Sequence, residues 1–329
     1  MEKLYVTMAK SNDRVKYFPQ ETIDFLRTLG EVTVNEDTGS MTEEDLIRKA
    51  PDATVLVTHW GCPQITEKYL NANPNLKIIA HCAGTVAHTA SEESYRRVIP
   101  CLSANDIMAL YVAEGVLGHL ITGTHCYKQM DLDMHQGIWN RKQPAVSLLD
   151  CTVGVVGLGA VARHLLNLLT PFNTKVLVYD PFLKEDSLKK WPFARRATLN
   201  EVMGCDAVTL HAAQTPETFH MIGKEQFDLM KDDALFINTA RGSLVDTQAA
   251  IDVLKTGRIR AIFDVYEKEG CAQEGLMGLP NVTLQPHAVA LPAGVSMTWG
   301  VLKDIETILK GGKGQYEVSF QTWSRMTQE

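Results

Sequence analysis

No apolar run in this 329-residue chain reaches the ~18 residues that a membrane-spanning helix needs, so no span is expected. The N-terminus opens on the strand-like Leu4-Tyr5-Val6 instead of a signal peptide, and the cytoplasm is the expected compartment. Basic excess is missing too. Lys and Arg number 32 against 39 Asp and Glu, a formal net charge of −7, which leaves no electrostatic footprint for nucleic acid or an anionic membrane. There is no C-x-x-C, and the seven cysteines are scattered; they read as small buried hydrophobes in a reducing compartment, not as a disulfide framework. His119, His125 and His135 do not share one helix face, and no Cys or His pair has ligand spacing, so no metal is expected. Repeats and low-complexity segments are absent as well. What is present is ordinary for a globular protein, 45% hydrophobic and 22% charged, at a length that suits two domains.

The most informative stretch is Thr152 to Asp180. Thr152-Val153-Gly154-Val155-Val156 has the length and β-branched content of a buried parallel strand, and Gly157-Leu158-Gly159-Ala160-Val161-Ala162 follows as G-x-G-x-x-A. Gly157 makes the tight turn, Gly159 lets backbone N–H groups approach a pyrophosphate, and Ala162 lets the helix lie close to the strand. The helix N-terminus then presents its positive end to the phosphates. Lys175 to Tyr179 reads as the next strand, closed by Asp180, an acid at the spacing that suits hydrogen bonds to the adenosine ribose. An acid there repels a 2′-phosphate, so NAD is expected over NADP.

About 150 residues precede this unit. Strands are expected at Lys3–Met8, Ala53–Thr58 and Lys77–Ala80, and helices at Glu21–Leu29 and Thr42–Lys49, the latter capped by Thr42. That alternation predicts a small open α/β domain. From Ala104 to about Met134 a proline-free, apolar-periodic stretch predicts one long helix between domains. After Asp180, strands are expected at Ala207–Leu210, Ala234–Asn238, Arg260–Asp264 and Val282–Leu284, with a helix from Asp246 to Thr256 capped by Asp246 and closed by Gly257. Counting from the glycine loop gives about six short strands, a doubly wound sheet. A final helix is expected from about Ser296 to Lys310. The resulting fold class is α/β with two open parallel-sheet domains: a Rossmann NAD-binding domain over 103–290, inserted in a flavodoxin-like substrate domain made of 1–102 and 291–329.

In open α/β sheets the ligand crevice lies beyond the carboxyl ends of the strands. Arg241 follows the strand at Ala234–Asn238, Asp264 closes the next, Glu269 lies five residues further on, and His287 follows Val282–Pro286. An Arg, a His and a carboxylate beside a nicotinamide are what reduction of a 2-oxo acid requires. The Arg forks onto the substrate carboxylate, the His donates a proton to the ketone oxygen, and the carboxylate holds the imidazole and favours its charged form. His211 also follows a strand, Ala207–Leu210, and on spacing alone it competes with His287 for the proton-donor role.

These motifs resemble the D-isomer-specific 2-hydroxyacid dehydrogenases. The resemblance rests on Val153 to Ala162, His211-Ala212-Ala213-Gln214-Thr215-Pro216-Glu217-Thr218, Asn238-Thr239-Ala240-Arg241-Gly242, Asp264-Val265-Tyr266 with Glu269, and Pro286-His287, in family order and spacing over nearly the whole chain. It implies an NAD-dependent enzyme interconverting a D-2-hydroxy acid and its 2-oxo acid. Arg241 would bind and polarise the substrate, His287 would be the proton donor, and Glu269 would pair with it. Gly157, Gly159, Ala160, Val161, Asp180, Ala212, Thr215, Thr239, Ala240 and Asp264 would line the NAD site, and His211 would fall in its wall. A homodimer is implied, with Trp139 resembling an aromatic of the family's dimerisation region. A non-catalytic NAD(H)-sensing scaffold of the same fold is the alternative; formate dehydrogenase is a more distant one, since that group carries Gln where Glu269 stands.

Three departures bear on the substrate. Ala288-Val289-Ala290-Leu291-Pro292 replaces the small or hydroxyl residues usual after the histidine, and Gly270 stands where a Pro commonly follows the glutamate. In the first domain, His81-Cys82-Ala83-Gly84-Thr85-Val86-Ala87-His88 replaces the family's glycine loop with nearby aspartates. His59, Trp60, Ala83 and Gly84 are therefore candidate pocket residues, with a structural turn and a packed Trp as the other reading of Thr58-His59-Trp60-Gly61. The acid itself is left open by the sequence.

Overall fold

The computed structural model describes residues 1–271 and 273–326. Two compact units emerge, one from Met1–Met108 together with the segment from Pro292 onward, the other from Ala109–Leu291. Both are open parallel-sheet α/β units.

In the first unit the strands are β1 (Glu2–Val6), β2 (Gly30–Val34), β3 (Val55–Thr58), β4 (Ile78–His81) and β5 (Cys101–Ser103), ordered β2-β1-β3-β4-β5 and all parallel. β3 and β4 are buried at every position, as strands covered on both faces must be. Leu46, Leu56, Ile65, Tyr69 and Ile79 form a core on one face, each such side chain contributing roughly 1.5–3 kcal/mol by its burial. Thr42 caps helix Glu43–Lys49 through a reciprocal capping box with Asp45, as its sequence position predicts. β2 and β5 were not anticipated. β2 begins directly at the end of helix Gln20–Leu29, and a Cβ at Gly30 would lie 2.2 Å from the Glu2 carbonyl, so only glycine lets the chain turn into the sheet there.

The second unit contains β6 (Thr152–Val156), β7 (Lys175–Tyr179), β8 (Ala194–Arg196), β9 (Ala207–Leu210), β10 (Leu235–Asn238), β11 (Arg260–Phe263) and β12 (Val282–Leu284). Their order is β12-β11-β10-β9-β6-β7-β8. The direction of winding reverses between β6 and β9, which makes that point the natural ligand crevice. Seven strands replace the expected six because β8, a three-residue edge strand with two exposed arginines, has no apolar signature. Phe236 on the central β10 packs between Phe227 and Phe263, at centroid distances of 5.2 and 5.9 Å.

The single long helix expected from Ala104 is two helices, Asn105–Thr124 and Tyr127–His135. Cys126 breaks it with a left-handed backbone, φ +58°. The Gly123 carbonyl, which a continuing helix would offer to the Tyr127 N–H, accepts the Cys126 N–H at 3.1 Å and the Arg260 guanidinium, which also approaches Cys126 Sγ at 2.8 Å. Helix Asn105–Thr124 is long and apolar enough to cross a membrane by length and composition alone. Its residues Ala109, Val112, Ala113, Val116 and Leu120 are buried within the protein.

Candidate functional site

The glycine turn and the end of β9 meet at the reversal point. Gly157 has φ +91°, and a Cβ on it would lie 2.7 Å from the Ala212 nitrogen and 2.8 Å from the Ala212 Cα. The Gly157 N–H donates to the Tyr179 carbonyl and the His211 N–H to the Val156 carbonyl, both at 2.7 Å, so the turn is drawn against β7 and β9. Gly159 precedes helix Ala160–Leu169 in an extended conformation and offers no side chain to cap it. A Cβ at Gly159 would meet only the His211 carbonyl oxygen, at 3.9 Å. An uncapped helix N-terminus behind an open glycine step fits an anionic diphosphate.

Asp180 closes β7. Its Oδ2 accepts the Leu158 N–H and its Oδ1 the Phe182 N–H, each at 2.8 Å, so the acid also fixes the glycine turn. Each oxygen keeps a lone pair for a ribose hydroxyl. At the end of β10, Thr239 is buried, and among the described residues its hydroxyl has no hydrogen-bond partner, so it is free to bond a polar ligand group. Ala240 follows it, and Thr215 donates its N–H to Thr218 Oγ1 at 2.8 Å in the loop after β9. The open glycine step, the acid and the orphaned hydroxyl together fit a dinucleotide.

The two competing histidines differ in surroundings. His211 Nε2 lies 3.1 Å from Thr209 Oγ1, and burial pushes its pKa down to about 3, so the ring stays neutral and is unsuited to proton donation near neutral pH. His287 is half exposed, with Nδ1 3.6 Å from Glu269 Oε1. Its backbone is left-handed, φ +51°, an uncommon state for a non-glycine residue. Asp264 makes that state possible. Its carbonyl accepts the His287 N–H at 2.8 Å, and its fully buried carboxylate accepts the N–H of Ala288 at 2.7 Å and of Val289 at 3.1 Å. Asp264, expected to line the NAD site, thus spends both carboxylate oxygens on the loop that carries His287. Behind it, burial lowers the pKa of His119 against the opposing field of the Asp264 carboxylate.

Arg241 sits where β10 gives way to a turn, and its Nη1 donates to the Ala240 carbonyl at 2.7 Å. Asn238 shapes this turn from within: Nδ2 donates to the Arg241 carbonyl at 2.9 Å while Oδ1 accepts the Ala240 N–H at 3.1 Å. A Cβ at Gly242 would lie 1.9 Å from the Tyr266 carbonyl carbon, so the Arg241 loop rests directly on the turn leading to Glu269. The Tyr266 N–H donates to Glu269 Oε1 at 3.3 Å, and its hydroxyl to the Gln285 carbonyl at 2.8 Å. Asn238 and Tyr266 were read only as motif letters in the sequence; their scaffolding role depends on contacts between loops that no spacing encodes.

His59, Trp60, Ala83 and Gly84 belong to the first unit, after β3 and β4. His59 is buried among Tyr17, Phe18 and Trp60, at ring-centroid distances of 4.5, 5.8 and 4.5 Å, and neither ring nitrogen has a hydrogen-bond partner among the described residues. Burial pushes its pKa down to about 3. Trp60 is half exposed, Ala83 is buried, and the Gly84 carbonyl accepts the Ser103 hydroxyl. His81, at the end of β4, lies 2.9 Å from Thr58 Oγ1. Among the described residues no group of three or more His, Cys, Asp or Glu could hold a metal ion.

Comparison with known proteins gives a consistent picture. Residues 117–289 match the family model described as "D-isomer specific 2-hydroxyacid dehydrogenase, NAD binding domain". A D-3-phosphoglycerate dehydrogenase of Methanocaldococcus jannaschii is 32% identical over 297 residues, 89% of this chain and 56% of that protein. The chain therefore spans little more than half the length of that relative. A glyoxylate reductase of Pyrococcus furiosus is 30% identical over 294 residues, covering 87% of this chain and 85% of the relative. Among solved structures, an NADPH-dependent glyoxylate/hydroxypyruvate reductase from Sinorhizobium meliloti shares the fold, with a TM-score of 0.74 at 20% identity over the full length of both chains.

Proposed function

Because this chain belongs to the D-isomer-specific 2-hydroxyacid dehydrogenase family, we propose that it interconverts a D-2-hydroxy acid and its 2-oxo acid with NAD, using Arg241, Glu269 and His287. The observation that carries the reading is the half-exposed His287–Glu269 pair, set on the same strand ends as the glycine turn and the Arg241 loop. NADH, when bound along Gly157, Gly159, Asp180 and Thr239, supplies the hydride that reaches C2 of the acid.

The chain's own groups do the rest. Arg241 takes the substrate carboxylate through its guanidinium fork and draws electron density from the neighbouring ketone. Glu269 faces Nδ1 of His287, which leaves Nε2 to point at the ketone oxygen and deliver the proton as C2 is reduced. In the reverse direction the same Nε2 accepts the hydroxyl proton. Asp264 holds the backbone on either side of the ring so that its direction does not drift. Asn238 does the same for the Arg241 turn.

The protein acts as a cytoplasmic homodimer in this reading. Met134, Ile138 and Trp139 are each exposed apolar side chains that a second copy would cover. The test is chiral analysis of the acid formed from NADH and a 2-oxo acid. A single D-2-hydroxy product supports the proposal, whereas an L- or racemic product removes it.

A further inference from the structure

We infer that His220 is a positioning residue that ties the loop bearing Arg241 to the turn bearing Glu269. The inference rests on the reading above, in which those two residues serve one reaction. His220 Nε2 lies 2.6 Å from Glu267 Oε1, and Glu267 is two residues before Glu269. The His220 N–H donates to the Ser243 carbonyl at 2.8 Å, and Ser243 is two residues after Arg241. One residue therefore grips one loop with its backbone and the other with its ring.

Several features make this grip rigid. His220 holds φ +51°, a left-handed state that is costly for a residue with a Cβ and persists only where the surroundings over-determine it. Its ring stacks on Phe219, centroids 3.9 Å apart and planes 16° from parallel. The seam continues through the Ile222 N–H, which donates to the Leu244 carbonyl at 3.0 Å, and a bridge between Ile222 and Val245. On the other side Gly242 allows no side chain between itself and the Tyr266–Glu267 peptide, and the Tyr266 N–H holds Glu269. The turn from Tyr266 to Glu269 thus carries two His–Glu pairs. Glu267 anchors the turn to His220, and Glu269 serves His287.

His220 and Glu267 side chains are each about a third exposed, so the pair acts through the direction of a hydrogen bond more than through net charge. A carboxamide at 267 can still accept from Nε2–H. A methyl group cannot. Displacing a catalytic group by about 1 Å costs on the order of 10²-fold in rate, so a small loosening of this turn is readable.

The test compares the full chain with His220→Ala, Glu267→Ala, the double variant and Glu267→Gln, by two measurements. Amide hydrogen exchange at Tyr266 reads the turn without any need for turnover. The inference expects exchange about tenfold faster in both alanine variants, and near the wild-type rate in Glu267→Gln. Steady-state kinetics with the 2-oxo acid are expected to show kcat lowered and KM for the acid raised together, about tenfold in kcat/KM, with NADH affinity unchanged. The double variant should be no worse than either single one, because both remove the same contact. Wild-type exchange at Tyr266 in His220→Ala overturns the inference, as do faster exchange with unchanged kinetics and additive losses in the double variant. If the wild-type protein reduces no 2-oxo acid, the proposed function falls, and exchange at Tyr266 still decides whether His220 sets the turn.

Discussion

Glu269 Oε1 stands 3.6 Å from His287 Nδ1 and at the same time accepts the Tyr266 N–H at 3.3 Å. The carboxylate that faces the imidazole is therefore held by the backbone of its own turn. His287 is held in turn by Asp264, which accepts the N–H of His287, Ala288 and Val289. The proposed acid and its partner owe their positions to two different loops, each fixed by main-chain hydrogen bonds.

Asp264→Asn is expected to damage that arrangement without unfolding the protein. One carboxylate oxygen becomes an NH2 that faces a backbone donor, leaving a buried N–H unsatisfied at a cost of about 1–3 kcal/mol. Thermal unfolding should show a loss of that size, with kcat falling and NADH affinity kept. Unchanged stability and turnover would mean that the carboxylate does not hold the loop.

Arg241→Lys is expected to raise KM for the 2-oxo acid and lower kcat, because an ammonium cannot reproduce the planar fork. A loss on the order of 10²-fold in kcat/KM is anticipated from a bidentate contact worth about 3 kcal/mol. Wild-type kinetics in that variant would take Arg241 out of the mechanism.

Gly157→Ala tests the cofactor groove. The new Cβ would lie 2.7 Å from the Ala212 nitrogen on a backbone at φ +91°. At least about 1 kcal/mol of stability should be lost on conformational grounds alone. NADH binding, followed by fluorescence titration, should weaken sharply. Asp180→Ser, by contrast, should leave the fold intact, weaken NADH and narrow its preference over NADPH. A variant that keeps the original preference would show that selectivity lies elsewhere.

Acid should destabilise the folded chain through histidines shielded from water. Burial pushes His59, His81 and His211 down to about 3 in the folded protein. Unfolded, each returns to about 6.5, so between those values the unfolded chain binds more protons and stability falls as pH drops. Each ring contributes at most about 1.4 kcal/mol per pH unit. His59 has no hydrogen-bond partner among the described residues, so His59→Phe should raise the unfolding temperature at pH 5 and flatten its dependence on pH between about 4.5 and 6.5. An equal slope in the variant would contradict the assignment.

The glycine turn was legible in the sequence because its physics is local: a β-branched strand, glycine at the turn and small residues at the helix start. Asp246 and Gly257 bracketed their helix for the same reason, and the structure finds the Asp246 side chain capping it and Gly257 at φ +73°. What the sequence hid depends on partners distant along the chain. The helix break at Cys126 is braced by Arg260, and the exposed edge strand β8 exists only because β7 is beside it. At the site, His211 and His287 looked alike by spacing. Burial against Thr209 on one side and a half-exposed carboxylate partner on the other separate them, and neither can be read from the residues alone.

The most direct test is the loss of NADH absorbance with the wild-type protein and His287→Gln across a panel of 2-oxo acids. The account predicts turnover of at least one acid by the wild type, a fall of about 10²–10⁴-fold in kcat for the variant, and NADH affinity unchanged. Turnover by the variant at the wild-type rate, or a wild type that binds NADH and reduces no 2-oxo acid, would contradict it.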